Sequence, residues 1–198
     1  MTLRPVARAV ALTAIVTLGS LSLSACGSSK SGGGGQTNYV VSTDGIGRVA
    51  KAERKSAGPI KGTTLEGKNL DVADFKDKVV VINVWGSWCP PCRAEAPYLN
   101  KVAKEMKTKG VEFVGINTRD SDKSLPKAFE NEYNISYPSL YDPTGKVLLS
   151  GFPKGTISLQ GLPATIILDR GGKIAAREFG GLDDTKLHKM IDPVVKEN

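Results

Sequence analysis

Val79-Val80-Val81-Ile82-Asn83-Val84-Trp85-Gly86-Ser87-Trp88-Cys89-Pro90-Pro91-Cys92 is the stretch on which the fold turns. Its first half, Val79 to Trp85, is too continuously apolar to have a wet face. That pattern predicts a central strand of a sheet covered on both sides. Gly86 and Ser87 break the run, and a helix is expected from about Pro90 to Lys107, because paired prolines are tolerated only in a first helical turn. The two cysteines therefore fall where a buried strand feeds a helix N-terminus. There the unpaired backbone N–H groups and the positive end of the helix dipole favour a thiolate. The pair reads as a reversible thiol–disulfide couple, Cys89 the exposed attacking thiolate and Cys92 one turn further in and less exposed. Two other readings compete. Half of a zinc site would need two more ligands, and the remaining candidates of that kind are Cys26 and His188. An inert disulfide across so short a spacer would restrain almost no chain.

Working outward, the expected helix carries Ala94, Tyr98, Val102 and Met106 at intervals of four as its apolar face, with Arg93, Lys101, Lys104, Glu105 and Lys107 polar. Pro97 should kink it. Glu95 lies about one turn beyond Cys92. Gly110 stops the helix, and Val111 to Ile116 forms a second buried strand. Strand, helix, strand in that order implies a parallel pair with a right-handed crossover. A second helix is expected over Ser124 to Tyr133, with Ser124 as cap and Pro126 in its first turn. Asp142-Pro143-Thr144-Gly145 reads as a turn. Thr165 to Leu168 and Lys173 to Phe179, joined by Asp169-Arg170-Gly171-Gly172, read as an antiparallel pair, and a last helix begins at Asp183. Upstream, Ile60 to Leu65 and Lys68 to Leu70 read as a hairpin across Glu66-Gly67, followed by a turn of helix at Val72 to Phe75. The fold class is α/β, a central mixed β-sheet with helices on both faces.

The N-terminus has a different character. Arg4 and Arg8 precede the apolar run Ala9 to Gly19, and small residues lead to Leu23-Ser24-Ala25-Cys26-Gly27. This is the layout of a secretory signal, and its apolar core is short for a membrane span. Its end resembles the lipobox of bacterial lipoproteins. That resemblance implies cleavage after Ala25 and a diacylglyceryl anchor on Cys26, which accounts for an odd cysteine count. Gly27 to Gln36 cannot pack and reads as a flexible tether, and Thr37 to about Ser56 is expected to be loosely ordered. About 30 such residues span about 30 Å as a coil. The expected organisation is a signal peptide over 1–25, a lipidated N-terminus and tether over 26–57, and one domain over 58–198.

The chain carries 27 Lys and Arg against 20 Asp and Glu, a formal charge of +7, and without Arg4 and Arg8 the excess falls to five. It is scattered, though Lys51, Arg54, Lys55 and Lys61 collect before the expected domain, where they favour either solubility or an anionic membrane surface. No basic and aromatic stripe suggests nucleic acid. No internal repeat is present.

The block from Gly58 to Val195 resembles the thioredoxin superfamily, and within it the membrane-anchored TlpA, ResA and DsbE-like thiol–disulfide oxidoreductases. The resemblance rests on Asn83 to Pro97 with its Trp88-Cys89-Pro90-Pro91-Cys92 core, on Gly161-Leu162-Pro163-Ala164-Thr165, which is similar to the family's cis-proline loop, and on the extra segment near Thr118 to Tyr137. It implies a thioredoxin-like fold with an N-terminal hairpin and a helical insertion after the second core strand. It also implies a redox-active Cys89–Cys92 disulfide. Trp88, Pro90, Leu162 and Pro163 would line the substrate side, with the residue before the cis-proline offering backbone groups to a substrate strand. Thioredoxin has a titrating aspartate where this chain has Asn83, and in ResA-like proteins the glutamate at the Glu95 position serves the acid–base step. A solvated Glu95 on a charged helix is the competing reading. His188 reads as a helix-surface residue, so a Cys–His nucleophilic enzyme has no support.

The implied protein works outside the cytoplasm, anchored by Cys26, as a monomer without metal or nucleotide cofactor. Its partners would be protein thiols and disulfides and a membrane-embedded thiol carrier. The expected direction is disulfide reduction, as in cytochrome c maturation, with an oxidant of exported proteins as the alternative. A Sco-like copper module would need a three-residue spacer and a distal histidine. A peroxiredoxin would need a Pro-x-x-x-Thr-x-x-Cys arrangement. This chain has neither pattern.

Overall fold

The computed structural model describes residues 39–158 and 160–197. The expected signal peptide, the lipidated Cys26 and the Gly-rich part of the tether lie outside the described residues. The strands are β1 (Val40–Val41), β2 (Gly47–Arg48), β3 (Lys61–Thr63), β4 (Asn69–Asp71), β5 (Val79–Trp85), β6 (Val111–Thr118), β7 (Ser139–Asp142), β8 (Ala164–Leu168) and β9 (Ile174–Phe179). The helices are α1 (Pro90–Met106), α2 (Ser124–Glu132), α3 (Lys146–Gly151) and α4 (Asp184–Val195). Seven strands form one mixed sheet in the order β1-β2-β9-β8-β5-β6-β7, and β3 and β4 pair separately. β5 lies in its interior, parallel to β6 and antiparallel to β8.

All seven residues of β5 are buried, as its apolar run requires. Alternation along the strand divides them between two cores. Val79 and Val81 pack with Leu99, Val102 and Met106 of α1 and Leu187, Met190 and Ile191 of α4. Val80, Ile82 and Val84 face the other way, onto Ile60, Leu148 and Phe152. Asn83 and Trp85 share the parity of Val79, so both point toward α1. The one polar residue of the strand is thereby aimed at the helix that carries the cysteines.

Four expectations change. The first concerns α1, whose buried side chains include Cys92, Glu95, Ala96, Leu99, Val102, Ala103 and Met106, while Ala94 and Tyr98 are exposed. A strict spacing of four drifts by about 40° per step around a helix of 3.6 residues per turn, so of the stripe read from Ala94 only Val102 and Met106 reach the core face. The second concerns the start of the fold. Residues 40–57 are not loose: β2 pairs with β9, Ile46 is fully buried among the α4 side chains, and Val49 N–H donates to Ala175 O. The Arg54 guanidinium, its side chain 5% exposed, holds Glu197 at 2.6 Å and Asp169 at 3.1 Å. Two isolated apolar residues that dock on distant strands leave no local period, so a boundary at residue 58 is too late. Third, Ser124 is not the cap of α2. Asp122 accepts from the Ser124 N–H at 2.8 Å, leaving Ser124 in the first turn. Last, the segment around the Asp142 turn holds more structure than expected: β7 extends the sheet parallel to β6, and α3 follows the turn.

Candidate active site

Trp85 ends β5, and Gly86, Ser87 and Trp88 turn the chain into α1. Cys89 is the N-cap, with φ −89° and ψ 108°. Pro90 and Pro91 occupy the first two helical positions and have no N–H, so the first amide of the helix with a proton belongs to Cys92. It donates to Cys89 Sγ at 3.3 Å. The double proline thus leaves one directed donor for the sulfur at the positive end of the helix.

Cys89 and Cys92 are joined as a disulfide. Cys92 is 1% exposed, and Cys89 only 2%, so the expectation of an exposed Cys89 does not hold in this state. Bonded inward to Cys92, its sulfur joins a cluster of Leu65, Trp85, Ala96 and Phe129, with Leu162 packed against it. Across from the pair, the Leu162–Pro163 bond is cis, and Pro163 O accepts from Gly180 N–H at 2.9 Å. Gly181 comes so close to the start of α1 that a Cβ there would lie 3.6 Å from Pro91 O. Leu162 and Pro163 are therefore brought to the cysteines from a part of the chain some seventy positions away, as expected. Pro90 and Trp88 flank Cys89 on the open side, both exposed.

Glu95 is not solvated. Its side chain lies between α1 and the sheet, the residue 2% exposed. Oε1 accepts from Asn83 Nδ2 at 2.8 Å and Oε2 from Leu182 N–H at 3.1 Å. Burial dominates over these two hydrogen bonds and pushes the carboxyl from 4.5 up to about 8. Asn83, which cannot titrate, instead positions the group that can.

Two features near the pair have no local signal in the sequence. The first is a clip across the loops. Asp120 accepts from Ser87 N–H at 2.9 Å, from Ser87 Oγ at 2.6 Å and from Asn117 Nδ2 at 2.6 Å, and Tyr141 Oη donates to Asp120 O at 3.1 Å. Ser87 and Asp120 are 33 positions apart, and only the parallel pairing of β5 with β6 brings them together. The second is Arg93, which bonds Glu132 at 2.7 Å and lies over the rings of Phe129 and Tyr133, tying α1 to α2. His188 sits on α4 between Glu105 and Asp192, each at 3.3 Å, and is not among the side chains around the cysteines. Among the described residues, no group of three or more His, Cys, Asp or Glu is placed to hold a metal ion.

A cysteine pair on the first turn after a central strand, faced by a cis-proline turn in a mixed sheet, defines the class: the fold is thioredoxin-like. Solved structures agree. A secreted thiol-disulfide isomerase from Corynebacterium glutamicum matches with a TM-score of 0.72 at 30% identity, covering 81% of this chain and 99% of that one. A DsbF homologue from Corynebacterium diphtheriae matches with a TM-score of 0.69 at 34% identity, covering 75% and 92%. Among curated sequences, the thiol-disulfide oxidoreductase ResA of Bacillus thuringiensis (strain Al Hakam) is 35% identical over 118 residues, 60% of this chain and 64% of the relative. The thiol:disulfide interchange protein DsbE of Yersinia pestis is 35% identical over 132 residues, 66% of this chain and 65% of the relative. The match thus spans just under two thirds of these relatives' lengths. The Redoxin family model matches residues 48–191, and the chain belongs to the Redoxin family.

Proposed function

We propose that this protein is an extracytoplasmic thiol–disulfide oxidoreductase of the ResA and DsbE type that exchanges electrons with other proteins through Cys89 and Cys92. The observation that carries this reading is the disulfide at the start of α1, with the Cys92 N–H directed at Cys89 Sγ. In the reduced state that donor and the helix dipole favour a Cys89 thiolate, the reactive species. It attacks a substrate disulfide, forming a mixed disulfide and releasing one substrate thiolate. Cys92, its proton taken up by Glu95 in that carboxyl's ionised form, then attacks Cys89 Sγ. This restores the Cys89–Cys92 disulfide and releases the second thiolate, so two electrons reach the substrate. The reverse sequence oxidises a substrate dithiol, and Glu95, holding its proton up to about pH 8 in the oxidised protein, supplies it to Cys92 as that sulfur leaves.

The direction favoured here is reduction, with the haem-binding cysteines of apocytochrome c as one substrate class. The relatives named ResA support it. The resemblance to DsbE-like lipoproteins implies the alternative, an oxidant of exported proteins. Leu162 and Pro163 would present backbone to an extended substrate strand beside the sulfurs, with Trp88 and Pro90 on the opposite lip. Lipidation of Cys26 would hold the protein on the outer face of the membrane as a monomer, supplied by a membrane-embedded thiol carrier. The test is a Cys92→Ala variant expressed with its native leader. Mixed disulfides on Cys89 should accumulate in membranes and disappear on treatment with dithiothreitol. Absence of any such adduct, with Cys89 intact and reactive toward alkylation, would overturn the proposal. A reduction potential near −270 mV, as in thioredoxin, fits a reductase, and one near −120 mV, as in DsbA, an oxidant.

A further inference from the structure

The lip of the disulfide carries a charge that no acidic side chain among the described residues pairs with. The Trp88 indole, 47% exposed, lies close against Gly86, where a Cβ would come within 2.7 Å of the ring. The guanidinium of Arg119 lies over the same ring, 4.4 Å from its centre. Arg119 reaches this position in the left-handed region, at φ +61°, which a side chain with a Cβ rarely adopts. Such a conformation persists only when its surroundings enforce it. Here the next residue enforces it: Asp120 is fastened to Ser87 and Asn117, so the loop after β6 is clipped to the turn that carries Trp88.

Three acids on the neighbouring segments have partners of their own. The Asp120 carboxylate is buried and accepts three hydrogen bonds. Asp122 accepts from Ser124 at the start of α2, and Glu132 is paired with Arg93. Among the described residues Arg119 makes no hydrogen bond or ion pair, and its ring contact is with Trp88. A guanidinium stacked on an aromatic ring keeps its N–H edge free to take a carboxylate.

We propose that Arg119, held on Trp88 next to Cys89, makes this protein favour substrate segments with a carboxylate side chain adjacent to the reacting cysteine. The inference rests on the exchange reading above and names the substrate class that the site selects. Arg119 is a specificity residue: it acts on docking of the segment, and the sulfur chemistry remains with Cys89.

The test uses the full-length Cys92→Ala protein and two peptides with blocked termini, Glu-Cys-Glu and Lys-Cys-Lys, each activated as a thiopyridyl disulfide. The Cys89 thiolate attacks the peptide sulfur, the peptide–pyridyl S–S bond breaks and thiopyridone leaves, so each turnover is read by absorbance. Rates are divided by those of mercaptoethanol with the same peptides, which removes their intrinsic reactivity. An acid-over-base preference of about fivefold is expected at low salt. It should fall toward one at 1 M salt, a readout that needs no Arg119 variant. Arg119→Lys should keep part of the preference and Arg119→Glu should invert it. Equal rates for the two peptides, or a preference that survives salt or Arg119→Glu, would overturn the inference while leaving the exchange reading intact. A Cys89 that forms no mixed disulfide with either peptide would count against the exchange reading itself.

Discussion

Replacing Glu95 by Gln should change how stability depends on pH, and the structure sets the size. The carboxyl lies between α1 and β5, bonded by Asn83 and Leu182, and holds its proton up to about pH 8 against 4.5 for an ordinary glutamate. The folded-state value is the higher one, so on raising the pH the unfolded chain loses this proton first. Between pH 4.5 and about 8 the unfolded state binds fewer protons, and stability is lost as pH rises; below and above that window Glu95 adds no slope. At about 1.4 kcal/mol per unit, the loss across the window is on the order of 5 kcal/mol. Gln has nearly the same shape and no titrating proton, and a rotated Asn83 amide can accept from the new NH2 group. Urea unfolding of the oxidised protein at pH 5, 6, 7 and 8 measures the effect. The Gln variant should match or trail the parent at pH 5 and exceed it at pH 8. Parallel pH profiles for the two proteins would refute the claim that burial holds this carboxyl neutral.

Arg54→Ala should lower stability by about 3 kcal/mol, because it strands Glu197 and Asp169 beside a site from which their partner has been removed. The urea midpoint reads this, and a change within error would mean that the N-terminal segment is held by β2 alone. Gly86→Ala forces a methyl group into the Trp88 ring, so the indole should swing off, its emission shift to the red, and stability fall by about 1–2 kcal/mol. Unaltered emission would show that Trp88 does not rest on Gly86.

The parts of this fold legible in the sequence are those with local patterns. β5 and β6 are uninterrupted apolar runs, the Asp169 to Gly172 turn marks the β8–β9 hairpin, and the double proline fixes the start of α1 to the residue. The cysteine pair and Pro163 were legible as motifs, and Glu95 as a position. Its burial was not, since a glutamate among Arg93, Lys101 and Lys104 looks solvated until the parity of Asn83 on β5 is known. Asp120 and Arg119 carry no signal because their roles exist only after β5 and β6 pair. The same holds for β2, which docks on β9, a strand far along the chain, and for β1, which pairs with β2.

The course of β1 bears on how the molecule is presented. β9 runs in the same direction as β5, β2 runs against it, and β1 runs with it again. The chain therefore enters the sheet at its outermost strand, travelling toward the end where Cys89 sits, and Tyr39 lies on the far side of Val40 from that end. The first described residue thus lies at the end of the sheet opposite Cys89. Were the chain held at a membrane through Cys26, as proposed, the domain would be tied from the end of the sheet opposite its sulfurs and would meet an incoming protein with Cys89 foremost.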